Sequence, residues 1–182
     1  MPVTLAEAKA HLRVDITDDD PYITTLITVA TNWCEEKQKK FYITKTKTEY
    51  LDKFPQERYI ELTRAPLQSV THLKYTDKDG VVTTWGGSNY IVDKTSFVPK
   101  IVLGYGLSWP TVQLSPVNAI EIAYSAGYGV AADVPLMIKQ AILLLVSHWY
   151  ENREPVNIGN IINKIPFAVE SLLGLSGGRV NV

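Results

Sequence analysis

The stretch ATNWCEEKQKKFYITKTKTEYL, residues 30–51, contains the change of pattern that decides the fold. Up to about residue 40, the apolar residues recur at the three- and four-residue spacing of a helix. Beyond Phe41, polar and apolar residues alternate, and β-branched and aromatic residues become frequent, as is typical of strands. The chain therefore passes here from a helical segment into a β segment.

Two helices are predicted before this change. Thr4 and Glu7 form a capping box at the start of the first helix, which should end near Val14. The second helix begins at about Pro21, with an aspartate as its N-cap and the proline in its first turn. Its core face is predicted to consist of Ile23, Leu26, Ile27, Ala30 and Cys34. Its opposite face is predicted to consist of Thr24, Thr28, Thr31 and Glu35.

Seven short strands are predicted in the middle of the chain, with the sequences TKTKTEYL, RYIEL, SVTHLKY, VVTTW, YIV, KIVL and AIEIAYS. The stretch DKDG, residues 77–80, predicts a hairpin turn, because glycine supplies the positive φ that such a turn needs. In the last strand, Ile120, Ile122 and Tyr124 should face a core while Glu121 faces out.

Helical spacing returns near the C-terminus. Asp133 is a predicted N-cap, and Pro135 should lie in the first turn of a helix over residues 134–152. Its apolar face is predicted to consist of Ile138, Ala141, Ile142, Leu145, Val146 and Trp149. Because Leu143 and Leu144 lie on the opposite side, this helix should be buried on more than one face, or at a subunit interface. A final short helix after Pro166 is predicted to make contacts through Phe167, Leu172 and Leu173.

The order of these elements predicts the fold class. It is an α+β fold, in which a small bundle of about four helices carries an inserted, mostly antiparallel β domain. The helical core would comprise residues 1–43 and 132–182, and the β domain would comprise residues 44–131. With 182 residues, the chain is long enough to bury a hydrophobic core.

Composition and charge narrow the classes of function. With 46% hydrophobic and 20% charged residues, the chain is typical of soluble globular proteins. Lys and Arg total 18 and Asp and Glu total 19, so the net charge is -1. Charges are also balanced along the chain. This balance argues against a protein that binds nucleic acid by neutralising phosphates, which normally carries a basic face.

The single cysteine and the apolar runs bear on the compartment. Cys34 has no second cysteine with which to form an internal disulfide or a CxxC metal site, and we expect a reduced thiol on a helix. The N-terminus lacks the pattern of a secretion signal. The longest apolar run, AILLLV at 141–146, is much shorter than the ~18 residues that span a bilayer. We therefore expect folding in a cytoplasm, without membrane contact.

The stretches of the sequence that suggest catalysis or metal binding have simpler structural explanations. The acidic stretch DITDDD, residues 15–20, is better explained by helix capping than by a cation site. The three histidines are scattered, and neither copy of GYG extends to a phosphate-binding loop. The polar stretch HWYENREPV, residues 148–156, lies at a helix end that Pro155 limits, with no orienting partner for catalysis. The sequence thus predicts no catalytic residue, no cofactor and no metal site.

The ordered set LAEAKAHLRVD, DDDPYITTLITVAT, TEYLDKFP, RAPLQSVTHLKYTDKDG, SWP, AGYGVAADVP and IKQAILLLVSHWYENRE resembles the head-tail connector proteins of tailed bacteriophages and prophages. The resemblance is to the longer members, in which a β module interrupts the helical core, and it covers nearly the whole chain. No single motif in the set is diagnostic. The family therefore rests on the order of the motifs.

The resemblance implies a structural, non-enzymatic role in the virion neck. Such proteins form a ring, expected to be twelve-fold, below the portal protein, where they extend the DNA channel and help retain the packaged genome. The implied partners are other copies of the chain, the portal, and the next neck or tail component. DNA is met only as it passes the channel, which suits a near-neutral chain. Assembly would take place in the cytoplasm of the bacterial host.

A ring of identical subunits needs two different patches on each copy. The candidates are the surplus apolar face of the 134–152 helix and the aromatic-rich loops of the β domain, because aromatics and arginine are enriched in interfaces. On the helix, the predicted interface residues are Leu143, Leu144, Trp149, Tyr150 and Arg153. Two other functions stay open at this stage. One is an enzyme with an unrecognised pocket, and the other is a β-module protein that binds a sugar or peptide through Trp85 or Trp109.

Overall fold

A computed structural model describes residues 1–152 and 167–177. Within these residues the chain forms four α-helices and seven β-strands, in agreement with the predicted α+β class. The helices are α1 (Leu5–Leu12), α2 (Asp20–Gln38), α3 (Leu136–Glu151) and α4 (Phe167–Leu175). The strands are β1 (Lys45–Leu51), β2 (Tyr59–Glu61), β3 (Leu67–Thr76), β4 (Val82–Trp85), β5 (Tyr90–Asp93), β6 (Lys100–Leu103) and β7 (Ile120–Ala126).

The chain divides into two compact units. The helical unit comprises Met1–Ile43 together with the chain from Tyr128 onward, and the β unit comprises Thr44–Gly127. Within the helical unit, the Tyr128 N–H donates to the carbonyl oxygen of Tyr42 at 3.3 Å. The segment that leaves this unit and the segment that re-enters it are therefore neighbours.

The predicted capping box begins α1. The Glu7 N–H donates to Thr4 Oγ1 at 3.2 Å, and the Thr4 N–H donates to Glu7 Oε2 at 2.7 Å. The hydrogen bond that the Glu7 carboxylate accepts from the Thr4 N–H holds the pKa of Glu7 below its usual value. The helix ends at Leu12, slightly before the predicted Val14, because Arg13 adopts the left-handed conformation with φ 57°.

Helix α2 buries its predicted core face, but its other face differs from the prediction. Ile23, Ile27 and Cys34 are fully buried. Thr31 and Glu35, which were expected on the outer face, are buried as well. The Thr31 hydroxyl donates to the Ile27 carbonyl at 2.7 Å. Glu35 Oε1 accepts from the Tyr42 N–H at 2.8 Å, because the chain turns back after α2 and this amide needs an acceptor.

Helices α3 and α4 complete the helical unit. The predicted apolar face of α3 is buried from Ile138 to Val146, but Pro135, not Asp133, is its N-cap. Asp133 instead accepts from the Val130 N–H at 2.9 Å and so caps a preceding 3-10 turn. Along α4, Val169 and Leu173 are buried, whereas the predicted contact residue Phe167 is 82% exposed. That prediction was wrong, because Phe167 stands on the side of the helix away from the core.

Two antiparallel sheets form the β unit. One has the strand order β1-β7-β3-β4 and the other has the order β2-β6-β5. Lys45 at the start of β1 pairs with Ala126 at the end of β7, so the chain enters and leaves the β unit at adjacent points. The predicted turn joins β3 to β4, with Gly80 at φ 82°. Along β7, Ile120, Ile122 and Tyr124 are fully buried and Glu121 is half-buried, as expected.

Candidate interface surfaces

The predicted interface residues of α3 lie against the core of their own helical unit. Leu143, Leu144, Trp149 and Tyr150 are each partly buried and pack on the buried cluster of that unit. Their remaining exposed surface leaves room for a further contact. A role between subunits stays a prediction for these four residues, and Arg153 lies outside the described residues.

The end of α3 is fixed by polar contacts with the start of α2. The Tyr150 hydroxyl donates to Asp19 Oδ2, and the Tyr22 hydroxyl lies 3.5 Å from the Trp149 carbonyl oxygen. The rings of Tyr22 and Tyr150 are 6.1 Å apart between centroids. The two aromatics therefore join the start of α2 to the end of α3.

The last turn of α3 follows its predicted spacing. The Asn152 N–H and its side-chain Nδ2 both donate to the His148 carbonyl oxygen, at 3.1 and 2.8 Å. Asn152 thus satisfies a carbonyl that the helix leaves open. The described part of the stretch, residues 148–152, is a polar helix end, as the spacing predicted, and residues 153–156 lie outside the described residues.

A polar network that sequence reasoning missed surrounds the end of α2. Gln38 Nε2 donates to the Leu173 carbonyl at 2.7 Å and to Ser176 Oγ at 2.8 Å, while its Oε1 accepts from the Tyr42 hydroxyl at 2.8 Å. Gln38 is 3% exposed, so each bond is made away from bulk water. Burial raises the pKa of Tyr42, which therefore acts as a neutral donor.

Lys40 extends this network to the segment that re-enters the helical unit. Its Nζ donates to the Tyr128 hydroxyl at 3.1 Å and to the Ser176 carbonyl at 3.2 Å. A buried lysine requires such partners, because an unpaired ammonium is costly away from water. The network therefore ties the end of α2 to α4 and to the re-entering chain. No periodic signal in the sequence predicted it.

A cluster of five aromatic residues occupies the β unit. It joins elements of both sheets, with Tyr75 on β3, Trp85 on β4, Tyr90 on β5, and Phe54 and Trp109 on loops. Phe54 and Trp109 stack with centroids 5.2 Å apart, Trp85 and Trp109 are 5.1 Å apart, and Trp85 stacks on Tyr90 at 5.8 Å. The cluster therefore connects the two sheets of the β unit through partly buried rings.

This arrangement weighs against a tryptophan platform for sugar or peptide. Trp85 and Trp109 are half-buried, and each stacks one face of its ring on another aromatic, Trp85 on Tyr90 and Trp109 on Phe54. The Trp109 Nε1 donates to the Glu57 carbonyl at 2.8 Å. A cleft of about 350 Å³ lies nearby, but neither tryptophan lines it, and its walls are Leu51, Pro55, Glu57, Tyr59, Ile60 and Glu61.

Several titratable side chains of the described residues are buried or paired with an opposite charge. Burial, reinforced by the charge of Glu35, raises the pKa of the Cys34 thiol to about 12, so the thiol stays protonated and unreactive near neutral pH. His72 Nε2 lies 2.6 Å from Glu121 Oε1 on the outer face of a sheet. In the acidic stretch, Asp20 pairs with Lys9 at 2.6 Å.

Residues 1–152 and 167–177 contain no group of three or more His, Cys, Asp or Glu side chains that could hold a metal ion. Over the same described ranges, no helix has both the length and the apolar character needed to cross a bilayer.

Comparison with known proteins identifies the class. Residues 3–160 match the family model of the head completion protein. The chain belongs to the head completion protein family. Membership confirms the predicted resemblance and a structural, non-enzymatic role as a virion head-tail connector. No curated protein matches the chain significantly by sequence.

Three solved structures share the fold. The first, "Neck of empty GTA particle computed with C6 symmetry", gives a TM-score of 0.80 at 24% identity over 100% of this chain and 91% of that chain. "Virion of native gene transfer agent (GTA) particle" gives 0.79 at 24% identity over 96% and 88%. "Neck of native GTA particle computed with C12 symmetry" gives 0.77 at 24% identity over 98% and 89%.

Proposed function

We propose that twelve copies of this chain form a ring below the portal, in the neck of a virion. The ring extends the DNA channel, helps retain the packaged genome and offers a surface to the next neck or tail component. The observation that carries the proposal is the family match over residues 3–160. Neck particles analysed with C6 and C12 symmetry contain chains of the same fold, which supports a cyclic arrangement.

The charge of the chain suits a conduit. DNA that passes a channel must not be gripped, and a strongly basic lining would bind phosphates through counterion release. With a net charge of -1, the chain offers little such attraction. DNA is thus a passing contact and not a bound ligand. Assembly takes place in the cytoplasm of the bacterial host.

We further propose that the β unit is an insertion in a helical connector core. In each unit, the two segments that connect it to the rest of the chain are bonded to each other. Tyr128 bonds to Tyr42 in the helical unit, and Lys45 pairs with Ala126 in the β unit. The exposed parts of Leu143, Leu144, Trp149 and Tyr150 are proposed to contact a neighbouring copy or the portal. Arg153 is proposed to join them.

Electron microscopy tests the ring. DNA-filled heads from a strain that lacks this gene would be imaged with and without the purified chain. The expected result is twelve-fold density below the portal only after addition, together with a genome that becomes resistant to nuclease. Heads that retain DNA equally well without the chain, or that never bind it, would contradict the proposal.

A further inference from the structure

Strand β2 is an outermost strand of the smaller sheet, with β6 on one side only. The Leu62 N–H donates to the Pro99 carbonyl at 2.9 Å, so every second residue of β2, counted back from Leu62, bonds to β6. Tyr59 and Glu61 are the residues between, and their N–H and carbonyl groups point away from β6. Among the described residues, none bonds to these four backbone groups. Such a row of open groups is a template for a further strand.

A cleft of about 350 Å³ lies beside this strand. It is lined by three consecutive residues of β2 and by the chain that leads into them, namely Tyr59, Ile60 and Glu61 with Leu51, Pro55 and Glu57. Its volume is in the range that holds bound ligand groups. We call Tyr59, Ile60 and Glu61, with the cleft beside them, the acceptor edge.

The side chains of the acceptor edge define what can add to it. Ile60 is 4% exposed on the inner face of the sheet, whereas Tyr59 and Glu61 are exposed on the outer face. An added strand therefore needs an apolar residue beside Ile60 and polar residues before and after it. Lys100 lies 3.2 Å from Glu61 and 4.2 Å from the Tyr59 ring centroid, so it offsets one of the two carboxylates at the cleft. The carboxylate of Glu57 then favours a basic residue in the added strand.

The sequence that follows α4 has this pattern. Residues 179–182, which lie outside the described part of the chain, read RVNV and alternate a basic or polar residue with valine. Aligned antiparallel to β2, the segment forms three pairs: Arg179 with Glu61, Val180 with Ile60, and Asn181 with Tyr59. In this register, the backbone groups of the first and third residues meet all four open groups of the acceptor edge.

We propose that residues 179–182 of one copy add as a strand to the acceptor edge of the next copy in the ring. The contact joins unlike surfaces, a donor segment and an acceptor edge, as a closed ring of identical subunits requires. Main-chain hydrogen bonds supply the affinity, and the Val180 and Arg179 side chains supply the specificity. The inference rests on the proposed ring and names a contact that closes it.

Disulfide trapping tests the contact and its register. Glu61→Cys and Arg179→Cys are made in separate full-length chains, because bonded pairs on adjacent strands lie about 5.5 Å apart between Cα atoms, within reach of a disulfide. Ile91→Cys replaces Glu61→Cys in the matched control, since Ile91 is exposed on β5 at the opposite edge of the same sheet. Cys34 is buried and does not compete. Circular dichroism establishes that each variant is folded.

The variants are mixed in pairs, assembled on heads that lack this gene, oxidised and separated by non-reducing gel electrophoresis. Glu61→Cys with Arg179→Cys should give linked dimers in about tenfold excess over Ile91→Cys with Arg179→Cys. A chain that carries both Glu61→Cys and Arg179→Cys is oxidised in parallel. If its disulfide closes only within one chain, the segment folds back on its own β unit, and the contact between copies is wrong.

Sedimentation velocity of the full chain, alone and with heads, gives an independent measurement. Val180→Asp places a carboxylate beside the buried Ile60 and should weaken association about tenfold or more. Asn181→Asp places the same charge on the solvated outer face and should assemble as the wild type does. Rings that form with neither the cross-link nor the Val180→Asp effect would overturn this inference and leave the proposed ring standing. A wild-type chain that associates neither with itself nor with heads would overturn both.

Discussion

The aromatic cluster of the β unit should be a main source of that unit's stability, and Trp109→Ala tests this. Trp109 stacks on Phe54, contacts Trp85 and donates its Nε1 to the Glu57 carbonyl. It lies in the long loop between β6 and β7 and so joins that loop to β4 and to the loop between β1 and β2. Removal of its side chain takes away all three contacts at once.

The magnitude follows from these contacts. Loss of a fully buried tryptophan costs about 3–5 kcal/mol, and Trp109 is half-buried, so about 2 kcal/mol is expected from packing. The hydrogen bond adds about 1 kcal/mol, and each ring pair adds about 0.5–1.5 kcal/mol. Because these contributions overlap, we expect a loss of about 3 kcal/mol in the free energy of unfolding. That is a large part of the stability of a small domain.

Urea unfolding, followed by far-UV circular dichroism, measures the effect. With a slope of about 1–3 kcal/mol per molar urea, the midpoint should fall by roughly 1–3 M. Trp109→Phe keeps a stacked ring without the hydrogen bond and should lose only about 1 kcal/mol. Tyr105→Ala is the control, since Tyr105 lies in the same loop and is fully exposed. If Trp109→Ala unfolds within about 0.5 kcal/mol of Tyr105→Ala, the cluster is not a core.

Three further predictions concern the helical unit. Native protein should resist a thiol reagent at pH 8 and react once urea unfolds it. Since the Cys34 thiol ionises near pH 9 when unfolded and near 12 when folded, its contribution to stability should hold below pH 9 and fall by about 1.4 kcal/mol per pH unit above it. Cys34→Ala should remove this decline between pH 9 and about pH 10, above which the buried Tyr42, whose pKa is also raised, adds a decline of its own. Gln38→Leu should cost about 1–3 kcal/mol in urea unfolding, because the buried Tyr42 hydroxyl loses its acceptor. Gly129→Ala should cost about 2 kcal/mol or more in thermal unfolding, because φ is +134° and the new Cβ would lie 2.2 Å from Asp133 Oδ2.

The elements of the fold were predictable because each carries a local signal. The capping box of Thr4 and Glu7, the period of α2 and the alternation along β7 are all set by residues close together in sequence. Prediction failed where a residue outside the helix decided the outcome. Glu35 has helical solvent-face spacing, yet it is buried because the Tyr42 amide needs an acceptor seven residues away. Aspartate is a residue type that favours N-caps, but the carboxylate of Asp133 accepts a hydrogen bond within the preceding 3-10 turn instead.

The candidate surfaces were less predictable than the fold for the same reason. Apolar residues on the outer side of α3, such as Leu143 and Leu144, suggested an interface, but their periodicity cannot tell a second core contact from a partner. In the β unit, strand pairing brings Tyr59, Ile91 and Val102 together from three separate strands. No local pattern encodes that register. The Gln38 network is also long-range, since its partners in α4 lie about 135 residues further along the chain.

In both units, the segment where the chain leaves and the segment where it returns are in contact. Lys45 and Ala126 are paired at the margin of the β unit, and Tyr42 and Tyr128 are bonded in the helical unit. In each unit, the points where the two linking segments attach are therefore neighbours, and neither unit has to be distorted to connect them. Lys40 adds a buried contact from the departing segment to the returning Tyr128. The proposed insertion would cost the helical unit little loop entropy, because the pairing of Lys45 with Ala126 already holds the two ends of the β unit together.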